Sequence, residues 1–310
     1  MKVLITGGLG FQGWHLTNAL VDRGHDVTVL ATPSKRSRDR GVVPAVVWGS
    51  VTDPVIVRAA FEDQDVVVHM AAMANPEACR ERPMDAVAVN AGGTHVVLEA
   101  LRALGPSTAP RLVHVSSCEV YGAVVGDATQ DELAPMLPST VYAMSKCAAD
   151  RLVYAYMKTY DLRAVIVRPC NIYGLGQRAG EHGGVIPTMV FRALAGQPLQ
   201  IRGDGSQCRE FMHVSDVTDV YTRLVEVEIR PRFGAVNVSM GDQISVVSIA
   251  EAIAARLHAR IEFGPSRPGE VSRFSLETSE ARAFGLIPLL PKAFQDGLHE
   301  YITWAQSQRQ

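Results

Sequence analysis

The sequence predicts a doubly wound α/β fold, a parallel sheet with helices on both faces and a smaller C-terminal part laid over it. Three observations lead there. Short β-branched runs alternate with amphipathic stretches as far as Pro169, a glycine-rich turn joins the first run to the first amphipathic stretch, and from about Cys170 onward glycine and proline become frequent. Buried strands separated by helix-length connections make βαβ units, and such units make parallel sheets.

In chain order the strand-like runs are KVLIT (2–6), DVTVLA (26–31), DVVVHMAA (65–72), RLVHVSS (111–117) and RAVIVRP (163–169). The stretches GWHLTNALVDRG (13–24), PVIVRAAFED (54–63), AVAVNAGGTHVVLEALRALG (86–105) and VYAMSKCAADRLVYAYMKTYD (141–161) space their apolar residues as helices do. Later, GLGQRAGEHGGVIP (174–187), GQPLQIRGDGS (196–206) and GPSRPGE (264–270) read as loops. The chain is expected to revisit the sheet near MHVSDVTDVYTRLVE (212–226) and AVNVS (235–239). This divides it into residues 1–170, revisited at about 212–238, and a second part formed by 171–211 and 239–310. No internal repeat or low-complexity segment interrupts the pattern.

Composition narrows the classes of function. The chain has 310 residues, 47% of them hydrophobic, enough for a sizeable core. Its net charge of −2, from 30 basic against 32 acidic residues, argues against a nucleic-acid partner. The densest basic stretch, KRSRDR at 35–40, holds four positive charges and reads as a solvated loop or a local phosphate contact. The start, MKVLITGG, is already a strand entering a turn, with no signal peptide ahead of it, and no apolar run reaches the ~18 residues of a membrane span. Five scattered cysteines without a CxxC pair read as reduced thiols, so a cytoplasmic enzyme without a membrane partner is expected.

The first strand runs into TGGLGFQG, which satisfies two overlapping patterns: Gly8, Gly10 and Gly13, or Gly7, Gly10 and Gly13. Glycines here permit a tight turn, let backbone amides approach a pyrophosphate, and let the next helix pack close. The helix then presents its positive dipole end to the phosphates. Where an NAD site usually carries an acidic residue, at the end of the second strand, this chain has Ala31, followed by Thr32, Pro33, Ser34, Lys35 and Arg36. Loss of the acid removes repulsion against a 2′-phosphate that Lys35 or Arg36 would pair with, so NAD and NADP both stay open. Tyr142 and Lys146 in YAMSK lie four apart, on one face of a helix. A free tyrosine, with a pKa near ~10, is a poor base. A neighbouring ammonium and a nicotinamide cation bring it towards the working range.

Glycine turn, Ser117 and YAMSK, in this order, resemble the short-chain dehydrogenase/reductase superfamily, and specifically its extended branch of nucleotide-sugar epimerases and dehydratases. HMAA (69–72), VNAGGT (89–94), SSCEVYG (116–122), RPCNIYGLGQ (168–177), VIP (185–187), GDGSQCREFMHVSDV (203–217) and RPGE (267–270) extend the resemblance nearly end to end. It implies a Rossmann-type sheet with a smaller C-terminal substrate-binding domain. It further implies a nicotinamide cofactor held by Gly7, Gly10, Phe11, Gln12, Gly13, Thr32, Ser34, Lys35, Arg36, Ala71, Ala72, Asn90, Tyr142 and Lys146. Asn171 and Arg209 are expected on a nucleoside diphosphate sugar, Arg267 on its diphosphate and Glu270 on a ribose hydroxyl. Arginine suits a diphosphate because its planar fork offers paired donors.

By the same resemblance Ser117 bonds the sugar's 4-hydroxyl, Tyr142 takes its proton while C4 is oxidised, and Lys146 holds the nicotinamide ribose. The next two positions, Cys118 and Glu119, bear on the fate of the 4-ketose. Sugar 4,6-dehydratases carry Asp-Glu there, the glutamate taking the C5 proton and the aspartate protonating the departing 6-hydroxyl; uronic acid decarboxylases keep the glutamate beside a serine. Here the base is present and a thiol replaces the acid, which tilts the reading towards dehydration or other C5 chemistry. The alternatives are a plain 4-epimerase, a uronic acid decarboxylase, an NADPH-dependent ketosugar reductase and a non-catalytic dinucleotide-binding regulator. Cys118 also reads as a small buried residue. His69, His114 and His213 read as core residues, and no spacing suggests a metal. The Gly174–Gly184 loop, with Glu181 and His182, lies near the expected sugar. Relatives pair through the helices matching 90–104 and 142–158, so a homodimer is expected, with Val96, Val97, Leu101, Leu152 and Tyr156 as apolar contacts.

Overall fold

The computed structural model describes residues 1–33, 44–122, 129–177, 184–266 and 273–308. Ser34, Lys35, Arg36, Glu181, His182, Arg267 and Glu270 lie outside them. In chain order the strands are β1 (Lys2–Thr6), β2 (Asp26–Ala31), β3 (Ala45–Trp48), β4 (Val66–His69), β5 (Arg111–Val115), β6 (Ala164–Pro169), β7 (Asn171–Tyr173), β8 (Leu199–Arg202), β9 (Cys208–His213), β10 (Ala235–Val238), β11 (Gln243–Ser245) and β12 (Ile261–Gly264). The helices are α1 (Phe11–Asp22), α2 (Pro54–Ala60), α3 (Pro76–Glu81), α4 (Pro83–Val87), α5 (Gly93–Leu104), α6 (Val141–Tyr160), α7 (Val185–Leu194), α8 (Val214–Glu226), α9 (Val246–Leu257), α10 (Ser279–Ala283) and α11 (Phe294–Ser307).

Seven parallel strands form one sheet in the order β10-β6-β5-β4-β1-β2-β3. Its strands are apolar on both sides because both faces are covered. Odd positions such as Val3, Ile5, Val113 and Val115 join a core with Leu16 of α1 and Val217 of α8, while Leu4, Val67, Leu112 and Ile166 join another with Val57 of α2 and Leu98 of α5. The two-residue strand period produces this division. A third core gathers Tyr173, Ile186, Phe211, Ile249 and Tyr301 around the small sheets β11-β9-β7 and β12-β8. The AVNVS run does return, as edge strand β10, and the segment before it becomes α8, packed on α1. Among the described helices none is long and apolar enough to cross a membrane.

Two local details depart from the sequence reading. The stretch 86–105 is not one helix, because a π-helical turn, Ala88–Gly92, separates α4 from α5 and carries Asn90. π-turns inside helices often mark functional positions, since the widened turn re-aims a side chain. The expected dimer contacts Val97 and Leu101 are fully buried against the sheet within the single chain. With Thr94 and Leu98 they form the inward stripe of α5, so they are unavailable to a partner. Val96, Leu152 and Tyr156 are only partly buried.

Candidate active site

Parallel strands deliver functional groups beyond their carboxyl ends, and among the described residues the glycine turn follows β1 while Ser117 and Glu119 follow β5. Gly7 follows β1 with φ +76°, and Gly10 donates its N–H to the Gly7 carbonyl at 2.8 Å. A Cβ on Gly7 would lie 2.9 Å from the Ala71 backbone, and one on Gly13 would lie 2.4 Å from the Gly7 oxygen. Gly8 is crowded instead by the side chains of Val29 and Thr17. The glycines therefore create a cradle that side chains would fill, with the Ala71 backbone along its border. Helix α1 begins at this cradle, N-capped by Gly10 without a side-chain bond. Its first amides and positive dipole end thus suit a pyrophosphate, and a dinucleotide fits. Gly13→Ala is expected to cost about 1–3 kcal/mol of stability and to weaken NAD binding. Thermal melting and calorimetric titration test both, and parental NAD affinity in the variant would count against the close approach.

Several expected cofactor residues also hold the frame together. The Asn90 side chain is buried and committed: its Oδ1 accepts from Met73 N–H at 2.8 Å, and its Nδ2 donates to Met73 O at 3.1 Å and to Ser145 Oγ at 2.8 Å. A buried amide satisfies its polar atoms locally. This one ties the loop after β4 to the helix carrying Tyr142 and Lys146. Gln12 Oε1 likewise accepts from Tyr221 of α8 at 2.7 Å. Phe11 packs on the sheet core at the head of α1, and Thr32 sits exposed after β2.

The histidines read as core residues are buried. Thr94 Oγ1 donates to Asn90 O at 2.6 Å, so its oxygen accepts from His69 Nε2 at 3.0 Å, and His69 Nδ1 then accepts from Thr6 Oγ1 at 2.7 Å. Burial, then the Lys146 charge, lowers His69 to about 3, so the ring is neutral. His213 Nδ1 bonds Ser215 Oγ at 2.8 Å. No group of three potential ligands among the described residues is arranged to hold a metal.

Helix α6 starts at Thr140, whose Oγ1 accepts from Ala143 N–H at 3.0 Å. Its first turns bring Tyr142 and Lys146 to the end of β5, where Lys146 Nζ donates to Val115 O at 2.6 Å. Burial lowers Lys146 to about 8, opposed by Asp150. Ser117 opens a short 3-10 turn, Cys118–Tyr121, and its Oγ accepts from Glu119 N–H at 3.2 Å. Burial, followed by the Glu119 charge, pushes the Tyr142 phenol up, while a hydrogen bond to Ser117 pulls it back. The Lys146 ammonium is turned to the Val115 carbonyl.

Glu119 is half-buried; burial raises its carboxyl and Arg209 opposes the rise. Arg209 comes from β9 and Asn171 from the adjoining β7, whose Nδ2 donates to Glu210 O at 3.1 Å. Ser117, Glu119 and Tyr142 thus lie together at the end of β5, with the Arg209 charge acting on Glu119 from β9. Cys118 lies inside the core cluster, its thiol pushed well above the ordinary range by burial and then by Glu119. A harder-to-ionise thiol is a weaker proton donor, so this burial favours the packing role.

Sequence reasoning missed the buried group behind the site. Arg168 and Asp150, both fully buried, form a two-pronged pair: Nε to Oδ2 at 2.9 Å and Nη2 to Oδ1 at 3.0 Å. Arg168 Nη1 also donates to Tyr121 Oη at 2.7 Å, and Tyr121 donates to Asn237 Oδ1 at 2.7 Å. An arginine inside the apolar run AVIVRP was the available signal, since buried charge demands a partner.

Comparison with known proteins agrees with this geometry. The model of the NAD dependent epimerase/dehydratase family matches residues 3–239. The chain is 31% identical over 330 residues to a dTDP-glucose 4,6-dehydratase of Streptomyces niveus, covering 100% of this chain and 94% of that protein. It is 32% identical over 320 residues to a dTDP-4-dehydro-6-deoxy-D-allose reductase of a Streptomyces species, covering 97% and 95%. The UDP-glucose 4-epimerase of Thermus thermophilus, solved in complex with NAD, superposes with a TM-score of 0.85 at 28% identity, covering 99% of both chains. With the glycine cradle, the Tyr142/Lys146 helix and a match over most of its length, the chain belongs to the NAD dependent epimerase/dehydratase family.

Proposed function

We propose that this enzyme binds NAD and a nucleoside diphosphate sugar, oxidises the sugar transiently at C4, and uses Glu119 at C5 to eliminate water or perform related chemistry. The observation that supports the reading is the grouping of Ser117, Tyr142 and Glu119 beyond β5, in the same sheet whose β1 ends in the glycine cradle. NAD, which Gly7, Gly10 and Gly13 would hold at the head of α1, would supply the hydride acceptor for C4 and the donor for its return. Ser117 orients the 4-hydroxyl, and Tyr142 takes its proton. Lys146 turns from the Val115 carbonyl to the nicotinamide ribose and supplies the positive charge that the buried phenol lacks. Glu119, within reach of the Arg209 charge, then removes the C5 proton that a C4 ketone acidifies. Cys118 has no proton-transfer part.

Residues 1–170 with 212–238 serve the dinucleotide, and 171–211 with 239–310 serve the sugar nucleotide, through Asn171 and Arg209 on the described strands and through Arg267 and Glu270. The adenosine end of the dinucleotide is assigned to Thr32, Ser34, Lys35 and Arg36, as the sequence suggests. Two chains pair through the outer faces of α5 and α6, where Val96, Leu152 and Tyr156 remain after Val97 and Leu101 are assigned to the core.

The reaction is expected to be redox-neutral, with no stoichiometric accumulation of reduced cofactor when NDP-sugar is added. Absorbance in the reduced nicotinamide band tests this. Steady consumption of added NADPH, one per product, would replace the reading with the reductive one, which the similarity to an allose reductase keeps in view.

A further inference from the structure

Lys146 is buried, and its ammonium donates to a carbonyl, Val115 O, not to a carboxylate. A buried ammonium without a counter-charge gives up its proton. The groups facing Lys146 come from the sheet, from the turn after β5 and from its own helix. From β4 and β5 come His69 and His114, both buried and kept neutral by burial first and the Lys146 charge second. From the turn after β5, Glu119 acts on Tyr142. From β6 comes the Arg168 guanidinium, which reaches this layer through Asp150. From α6 itself come Tyr142, one turn before, and Asp150, one turn after and fully buried on the same helical face. Asp150 is therefore the anion of this interior layer, and it is shared: Arg168 grips both its oxygens, and Arg151 Nε lies 3.1 Å from Oδ1.

The geometry points to Asp150 as a positioning residue that keeps Lys146 an ammonium for the cofactor's ribose, with Arg168 setting how much of the Asp150 charge Lys146 feels. The inference rests on the proposed role of Lys146 and assigns its regulation to a pair no other part of the reaction uses. The physical consequence is directional. Removing the Asp150 charge leaves two buried cations in one layer, and Lys146 deprotonates at lower pH. Removing Arg168 frees the Asp150 charge to act on Lys146, which then holds its proton to higher pH.

The test is NAD affinity measured calorimetrically from pH 6 to 10 on the full chain, without sugar. NAD binding to the parent should weaken as pH rises through the Lys146 pKa, about 8 before binding, and Lys146→Met should flatten that limb. Asp150→Asn should move the limb down by about one pH unit, roughly tenfold in Kd on the slope, and Arg168→Met should move it up. A purely structural pair would shift both variants the same way. Both single variants are expected to lose stability, since each strands a buried charge. The double variant Asp150→Asn/Arg168→Met removes both charges, and its limb should still lie below the parent's. A limb flattened by Lys146→Met but unmoved by Asp150→Asn and by the double variant overturns this inference alone. A parent limb unchanged by Lys146→Met overturns the assignment of Lys146 as well.

Discussion

Tyr142→Phe is expected to abolish turnover, with a rate loss of about 10²- to 10⁴-fold, the usual cost of removing a positioned acid–base group. Binding of the sugar nucleotide should survive. The substitution removes one oxygen and keeps the ring, so α6 and the cap at Thr140 are undisturbed. What disappears is the phenol that hydrogen-bonds Ser117 at the end of β5. In the protein alone this phenol is pushed the wrong way for a base, up by burial and by the Glu119 charge. The positive charge that makes it competent is expected from the cofactor and from Lys146. That separates two measurements: titration calorimetry with the sugar nucleotide should give near-parental affinity, while kcat collapses. Near-parental kcat would remove Tyr142 from its role.

The parts of this protein legible in its sequence are those written locally. The glycine turn, the four-residue spacing of Tyr142 and Lys146, and the polar end of RLVHVSSCE need only the strand period, the helix period and the rule that parallel sheets act beyond their carboxyl ends. The parts that stayed hidden depend on which elements meet. Helical spacing says that α5 has an apolar stripe, yet it does not say whether Val96 or Val97 faces the sheet; the strands beneath decide that, and they bury Val97. Asn90 looked like a ligand contact because its sequence neighbourhood is that of a cofactor loop. Its actual partners, Met73 and Ser145, come from two other segments. The Asp150–Arg168 pair bridges α6 and β6, and its charges were visible while their pairing was not. Cys118 was ambiguous for another reason, since a thiol serves equally as core filler and as proton donor until its surroundings are known.

Glu119→Gln is expected to block chemistry at C5 while sparing oxidation at C4, so the variant should stall with reduced cofactor and a bound 4-ketose. The amide keeps the size and hydrogen-bonding reach of the carboxylate and loses its basicity, leaving Arg209 and Ser117 with a neutral neighbour. In deuterated water the parent product should carry solvent label at C5, located by NMR, and the variant should release none. The pH dependence has a defined sign. The base must be ionised, and burial lifts Glu119 above the ordinary glutamate value near ~4.3, with Arg209 opposing. The C5 step should therefore fail on acidification earlier than an exposed glutamate would allow, and Arg209→Met should move that loss to still higher pH. A plain 4-epimerase behaves otherwise on every arm: its C5 hydrogen never exchanges, no water leaves, and the glutamine variant keeps epimerising. Decarboxylation of a uronic acid would also label C5 from solvent, and it separates itself by releasing carbon dioxide. Unlabelled product with no water lost would strip Glu119 of proton abstraction and leave it orienting the sugar beside Arg209.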